Sequence, residues 1–407
     1  MISRGITSVA LSLAALIPAA LIPGSFGCST SQRTSQNVRP SASPAEAAPA
    51  DSGALPGVSA AQPAGSPATA ATGVAAKATG GARFEPDIVT DVQGAMGTEV
   101  SLVAITSREK GVTDVELAFE QAWKEVERLE GLLTSWTAES DVGRVNQGSA
   151  QWVSVASETA FVVERSLLSS RLSQGAFDIS FHTLGELWRF GDAQELNPRV
   201  PTPSQVAQAR KLIDYRKVEV ELQPPRVRIG REMRIDLGGI AKGYIVDQIV
   251  KVLRDRGLGS FLVQAGGDLY GAGRKPDGSA WVSGVRDPRG PRDRSFAVID
   301  LTDHAFSTAG DYARAYVLNG KRYHHIIDPR TGYPATESRS VTIWAPDALT
   351  ADAIDDAVFI LGPVAGLKLV ESLPGVGALI VDKNNKVWVS ERLQGKIKMV
   401  AEPTPGL

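Results

Sequence analysis

The chain is poor in the residues that most often announce chemistry. Of its 407 residues, one is cysteine, four are histidine and four are methionine. With a single thiol, Cys28, no intrachain disulfide framework is possible. A formal charge of −2 and a pI near 6.2 leave no basic footprint for nucleic acid. No Walker loop occurs, and Gly271-Ala272-Gly273 lacks dinucleotide-binding spacing. What is present, 22% charged and 43% hydrophobic residues, suits a soluble globular body of one large or two moderate domains. The residues are unevenly distributed along the chain.

Residues 1–27 read as an export signal. Arg4 gives a positive start, and an apolar stretch from Ile6 to Ile22 follows, interrupted by Pro18. That stretch is short and broken for a spanning helix. Cys28 follows Ser25-Phe26-Gly27, which resembles a bacterial lipobox, with Ser25 where Leu is usual. The reading is a lipidated Cys28 at the mature N-terminus; the alternative is an ordinary cleaved signal beside a coincidental cysteine. Residues 28–82 are rich in Ala, Pro, Ser, Thr and Gly and nearly lack large apolar side chains. Such a segment cannot bury enough surface to fold, so it reads as a tether lifting the 83–407 body off a membrane.

Within the body, Asp87 to Thr106 reads as paired strands around Gly94–Thr98. Thr113–Glu116 reads as a capping box opening a helix with Val115, Ala118, Phe119, Ala122, Trp123, Val126 and Leu129 on one stripe. Further helices are expected from Ser157 to Leu172, after Pro203, from Gly238-Gly239 to Arg256, and from Thr350 to Leu361. Arg234–Leu237 reads as the end of a strand, Phe261–Gln264 as a buried strand, and Trp281 to Trp344 as mostly strands. A hairpin turns at Asn384-Asn385. Helices and strands alternate irregularly, which gives an α+β fold rather than a parallel wound sheet.

Four stretches can carry chemistry. In DLGGIAKGYIVD, two glycines precede a helix start, where free N–H groups and Lys242 could hold a pyrophosphate; a tight packing turn explains them equally well. In TADAIDDAVF, the spacing places Asp352, Asp355 and Asp356 on one helix face, where a hard cation such as Mg²⁺ would offset their repulsion. The alternative is a solvated acidic first turn. Trp136 is either core or an aromatic wall for a flat ligand. Half of the histidines, His324 and His325, stand together in KRYHHIIDPRTGYPA, where Tyr323 to Ile327 favours a strand and Asp328–Gly332 a turn. Strand neighbours face opposite ways, so at most one of the two serves a given pocket.

Taken in order, AMGT, TSW, GAFDIS, DLGGIAKG, QAGGDL, STAGDY, HHIIDPRTGYP and TADAIDDAVFILG resemble the ApbE family of FAD:protein FMN transferases, from roughly Asp87 to Val389. The resemblance implies α+β, ApbE-like (T-fold-like) mixed sheets with packed helices and a flavin pocket between two lobes. It implies Mg²⁺-dependent transfer of FMN from FAD to Thr or Ser of a flavoprotein, with release of AMP. Met96, Trp136, Ala176, Phe177, Asp178, Asp236, Lys242 and Ile326 would contact FAD, and Gly239, Asp352, Asp355 and Asp356 the metal. His325, the histidine shared with the family motif, would be the base or acceptor-orienting residue, leaving His324 structural. Asp356 stands where the family commonly has Thr. That departure keeps a metal-dependent FAD pyrophosphatase open, beside a non-catalytic flavin-binding lipoprotein. The implied partners are exported or membrane flavoproteins with a Ser/Thr-Gly-Ala-Thr-like site, of the Rnf or sodium-pumping NADH:quinone reductase type. The implied location is a membrane-anchored bacterial lipoprotein facing the periplasm or cell exterior.

Overall fold

A computed structural model of the chain describes residues 84–148, 150–188, 190 and 199–406. The export signal, Cys28 and the tether lie outside the described residues. Among these residues there are seven α-helices: α1 (Val112–Leu133), α2 (Asp141–Gln147), α3 (Ser157–Leu172), α4 (His182–Trp188), α5 (Pro203–Arg210), α6 (Ala241–Asp255) and α7 (Ala348–Ser372). None of the described helices is long and apolar enough to cross a membrane.

The organising element is an eight-stranded sheet. Its order is Ile88–Ala95, Thr98–Ile105, Phe261–Ala265, Asp268–Ala272, His304–Gly310, Ser338–Ala345, Gly377–Asp382, Val387–Val389. Every pairing in it is antiparallel. The two-residue period of a strand sends alternate side chains to two cores. Val100, Leu102 and Ala104 join the core under the helices, whereas Val103 and Ile105 join a second core. The same split separates Val341 and Ile343 from Trp344, and Ala378 and Ile380 from Leu379 and Val381. α1, α6 and α7 cover one face. The second core contains Trp281, Phe296 and Ile299 from a three-stranded sheet of Trp281–Arg286, Ser295–Leu301 and Ile397–Met399. The expected α+β class is what the chain forms.

Several local expectations shift. α1 starts at Val112, and its cap is Gly111, whose N–H is accepted by Asp114 at 3.0 Å, so the Thr113–Glu116 box lies inside the helix. Arg234–Leu237 is irregular rather than strand; the Ile235 N–H goes to Asn146 Oδ1 at 2.7 Å instead of to a sheet. The expected strand at Tyr323–Ile327 breaks into Lys321–His324 and Ile327–Asp328, with His325 and Ile326 at the break. α7 is interrupted, as expected, by Gly362 (φ 74°) before Pro363.

α6 and α7 cross at their N-termini, and Gly243 permits it. A Cβ there would lie 2.3 Å from the Ala348 carbonyl oxygen and 2.7 Å from Asp352 Cβ. Each helix caps the other. Asp247 of α6 accepts from the Ala348 and Leu349 N–H groups at 2.8 and 2.9 Å, and Asp352 of α7 accepts from Gly243 N–H at 2.9 Å. Burial pushes Asp247 up to about 7 even against these bonds.

Candidate active site

The crossing of α6 and α7 over the sheet builds a buried polar cluster. Ser307 lies between Ala305 and Ala309 on its strand, hence on the helix-facing side. Asp268 opens the neighbouring strand and shares that face with Tyr270 and Ala272. From above, α7 lowers Asp352 and Asp355, and the first turn of α6 supplies Lys242. Lys242 Nζ is 2.8 Å from Asp268 and 3.0 Å from Asp352. Ser307 Oγ is 2.6 Å from both Asp268 Oδ1 and Asp355 Oδ2.

A hydroxyl has one hydrogen, so one of those two contacts is donated by a protonated carboxyl. Asp355 is the group whose surroundings favour the proton. Burial, and then the charges of Asp356, Asp352 and Asp268, push it well above the carboxylate range. Burial and Asp268 raise Asp352 against the pull of Lys242. Burial also raises Asp356. Desolvation alone would strip the proton from Lys242, but Asp268 and Asp352 hold it there, well above the ordinary lysine range.

This placement bears on two readings. The helix N-terminus expected to receive a pyrophosphate already has an anion, because Asp352 accepts from Gly243 N–H. The three carboxylates of α7 also divide. Oxygens of Asp268, Asp352 and Asp355 lie within 4.8 Å of one another. Asp356 turns instead toward Gly239, where a Cβ would meet its Oδ2 at 3.4 Å and Phe177 Cε2 at 3.2 Å. Asp268 and Ser307 were missed because neither QAGGDL nor STAGDY shows a local ligand spacing; their partners lie on other elements. As donors, three oxygen groups around one ammonium, with one proton shared through Ser307, fit a hard divalent cation.

The remaining residues fall around this cluster. Asp236 accepts from Ser135 Oγ at 2.5 Å and from Gly238 N–H at 2.7 Å, and lies 3.4 Å from His182 Nδ1. Burial opposes ionisation of Asp236, but His182, Ser135 and Gly238 together hold it below the usual range. The hydrogen bond to Asp236 raises His182. His182, absent from the sequence reading, ties α4 to the DLGG segment, and Ser135 ties in the loop carrying Trp136. Trp136 is 90% exposed, so it is not core. Met96 stands at φ 54° in the turn after Ile88–Ala95, its N–H held by Glu130 at 2.9 Å. Ala176 and Phe177 are buried. The Asp178 carboxylate is spent locally, on Ser180 N–H and Oγ and on Tyr215 N–H. Ile326 is buried.

The two histidines differ sharply. His324 is 3% exposed, with Nε2 2.8 Å from the Ala335 carbonyl and its ring edge-on to Phe359. His325 is half-buried, and its Nδ1, like that of His324, is buried with no hydrogen-bond partner among the described residues; unlike His324, it has no ring-nitrogen bond to a carbonyl among them. Desolvation, then the charges of His324, Arg314 and Lys242, depress His325 to about 3, so the ring is neutral.

The ApbE family pattern matches residues 96–380. The chain is 31% identical over 303 residues to the FAD:protein FMN transferase of Treponema pallidum (strain Nichols), covering 70% of this chain and 83% of that protein. Among solved structures, it resembles the ApbE protein of Thermotoga maritima at 34% identity and a TM-score of 0.69, covering 76% of this chain and 99% of the other. It also resembles the apo flavinyl transferase ApbE of Pseudomonas stutzeri at 27% identity and a TM-score of 0.68, covering 77% and 98%.

Proposed function

Because the chain belongs to the ApbE family, we propose that it is an FAD:protein FMN transferase that attaches FMN to a Thr or Ser of a flavoprotein and releases AMP. The observation that carries this reading is the buried Asp268–Lys242–Asp352–Asp355 cluster beside Gly239, with an unpartnered His325 nitrogen in the same region. The acceptor oxygen bonds to the flavin-side phosphorus of FAD. The bond from that phosphorus to the bridging oxygen breaks, and AMP departs with that oxygen. His325, whose neutral ring accepts a hydrogen bond from the acceptor hydroxyl, orients it, and the hydroxyl proton passes to solvent as the new bond forms.

Lys242 faces the pyrophosphate and offsets its charge. Trp136 offers an uncovered aromatic face to the flavin or adenine ring, and Met96, Phe177, Asp236 and Ile326 line the same site. Asp352, Asp355, the Gly239 carbonyl and Asp356, assisted by Asp268, would hold Mg²⁺, which would neutralise the pyrophosphate and stabilise the leaving group. Residues 1–27 and Cys28 support an exported, lipid-anchored protein facing the periplasm or cell exterior. Its acceptors there would be Rnf-type or sodium-pumping NADH:quinone reductase subunits, or secreted flavoproteins.

The test incubates the protein with FAD, Mg²⁺ and an acceptor domain carrying a Ser/Thr-Gly-Ala-Thr-like site. Flavin fluorescence remaining on the acceptor in a denaturing gel, with AMP released, supports transfer. AMP and free FMN without labelling replace the reading with hydrolysis by water, which the extra carboxylate of Asp356 would favour. Bound FAD with neither product leaves a carrier.

A further inference from the structure

The start of α4 carries a chain of alternating charge. His182 and Glu186 lie one turn apart on the helix, and Arg234 and Asp236 lie two residues apart on the irregular stretch facing it. His182 Nδ1 is 3.4 Å from Asp236 Oδ2, and His182 Nε2 is 3.4 Å from Glu186 Oε1. Arg234 is 2.9 Å from the same Glu186 oxygen. The order is Asp236, His182, Glu186, Arg234, with a carboxylate at each ring nitrogen of the histidine. An ionised carboxylate only accepts, so only the doubly protonated ring serves both. The four groups then sum to zero charge. The other elements against α4 bring neutral groups to this flank: Gln205 and Gln208 from α5, and the Ile179–Phe181 turn. Arg210 of α5 lies at Gly332 instead, and Asp178 is held by Ser180 and Tyr215. The contact with Asp236 raises His182 against its desolvation.

Asp236 is fixed at its backbone first. Its N–H goes to the Ile179 carbonyl at 2.8 Å, and Asn146 brackets the preceding Ile235 through its N–H and its carbonyl, at 2.7 and 2.9 Å. The side chain is then divided between its two oxygens. Oδ2 takes Ser135 Oγ and His182, whereas Oδ1 takes the Gly238 N–H alone among the described residues. A carboxylate oxygen accepts two hydrogen bonds, so Oδ2 is filled and Oδ1 keeps one accepting site. The side chain is 21% exposed, enough for a ligand to reach it.

We propose that His182, as an imidazolium, is a positioning residue for FAD: it holds Oδ2 of Asp236, leaves Oδ1 to a hydroxyl or N–H of the nucleotide, and cancels a carboxylate charge that would repel the pyrophosphate. The proposal rests on the transferase reading, in which Asp236 contacts FAD, and adds that FAD affinity falls as pH rises through the titration of His182. A neutral ring gives up one of its two carboxylate contacts and leaves the four groups with a net negative charge.

The test titrates FAD, followed by flavin fluorescence without acceptor, from pH 6 to pH 9. It compares the wild type, His182→Gln and His182→Arg, with Tm measured in each. The acids of the α7 cluster titrate in the same range, so the quantity read is the ratio of variant to wild-type Kd at each pH. For His182→Gln the expected ratio is about fivefold at pH 6, the scale of a partly screened ion pair, and about one at pH 9, where the wild-type ring is neutral too. His182→Arg, charged throughout, should bind FAD more tightly than the wild type at pH 9. In a protein already carrying Asp236→Asn the His182→Gln effect should vanish, because the histidine acts through that carboxylate. In steady-state transfer the loss should fall on KM for FAD rather than on kcat. A ratio near one at pH 6, a ratio equal at pH 6 and pH 9, or the same effect with and without Asp236 would overturn the proposal while leaving the transferase standing. Wild-type protein that binds FAD but labels no acceptor would remove the transferase, and the Kd ratio would still decide the role of His182. Wild-type protein that binds no FAD would remove both.

Discussion

Substituting Gly243 by alanine places one methyl group where the structure has no room for it. The added Cβ would lie 2.3 Å from a backbone oxygen of α7 and 2.7 Å from Asp352 Cβ. Neither atom belongs to the far end of a flexible side chain, so the helices must separate. Overpacking of this kind costs about 1–3 kcal/mol. Separation also stretches the Gly243 N–H bond to Asp352, and a hydrogen bond to a charged group contributes about 1.5–3 kcal/mol. Together these give about 2.5–6 kcal/mol, or about 4–9 °C in Tm for a body of about 320 residues at roughly 2.1 cal/mol/K of unfolding entropy per residue. Transfer activity should fall further than stability, because Asp352 and Lys242 move with the helix starts. Differential scanning calorimetry and transfer rates at a temperature where the variant is fully folded check both parts. Gly259→Ala, with nothing within 4 Å of its Cβ, is the control and should change neither. A Gly243→Ala protein with wild-type Tm and rate would refute the reciprocal capping of α6 and α7 as what assembles the site.

Other expectations follow from the same geometry. His325→Ala should abolish transfer while FAD still binds, whereas His324→Ala, which removes a buried ring, should lower Tm and leave the rate per folded molecule near wild type; equal rate losses in both would contradict the assignment. Trp136→Ala should raise KM for FAD with no change in Tm, since the ring is uncovered in the free protein; a fall in Tm would show that the ring packs. The His182–Asp236 pair carries a pH signature. The raised His182 contributes stability that is full below its unfolded value of about 6.5 and is lost as pH rises through its folded value. The lowered Asp236 contributes above about 3.9 and loses its contribution as pH falls. The Tm deficit of His182→Gln should therefore be larger at pH 6 than at pH 9, and a pH-independent deficit would exclude the ion pair as its cause. Chelation of divalent cations should stop transfer and Mg²⁺ should restore it; full activity after exhaustive chelation would remove the cation from the account.

The sequence disclosed elements whose signal is local. α3 runs from Ser157 to Leu172 as its pattern predicts, and Gly362-Pro363 breaks α7 where expected. Half of the candidate cluster was legible for the same reason, because the i, i+3 spacing of Asp352 and Asp355 puts both on one face. Asp268 and Ser307 were not, since their partners come from a distant helix and only sheet order brings them together. Helix-end physics predicted an anion at the start of α6, and within the chain itself that anion is the Asp352 carboxylate of α7, which the sequence did not pair with Lys242. His182 carried no signal beyond a helix start, and its role appears only once Asp236 is placed beside it.

The most direct test of the central claim counts products. The protein, FAD, Mg²⁺ and an excess of acceptor domain are incubated, and AMP released is compared with flavin covalently retained on the acceptor. The account predicts one AMP for each acceptor labelled, at the Thr or Ser hydroxyl, and neither product from His325→Ala. AMP accumulating with free FMN and no labelled acceptor would contradict it.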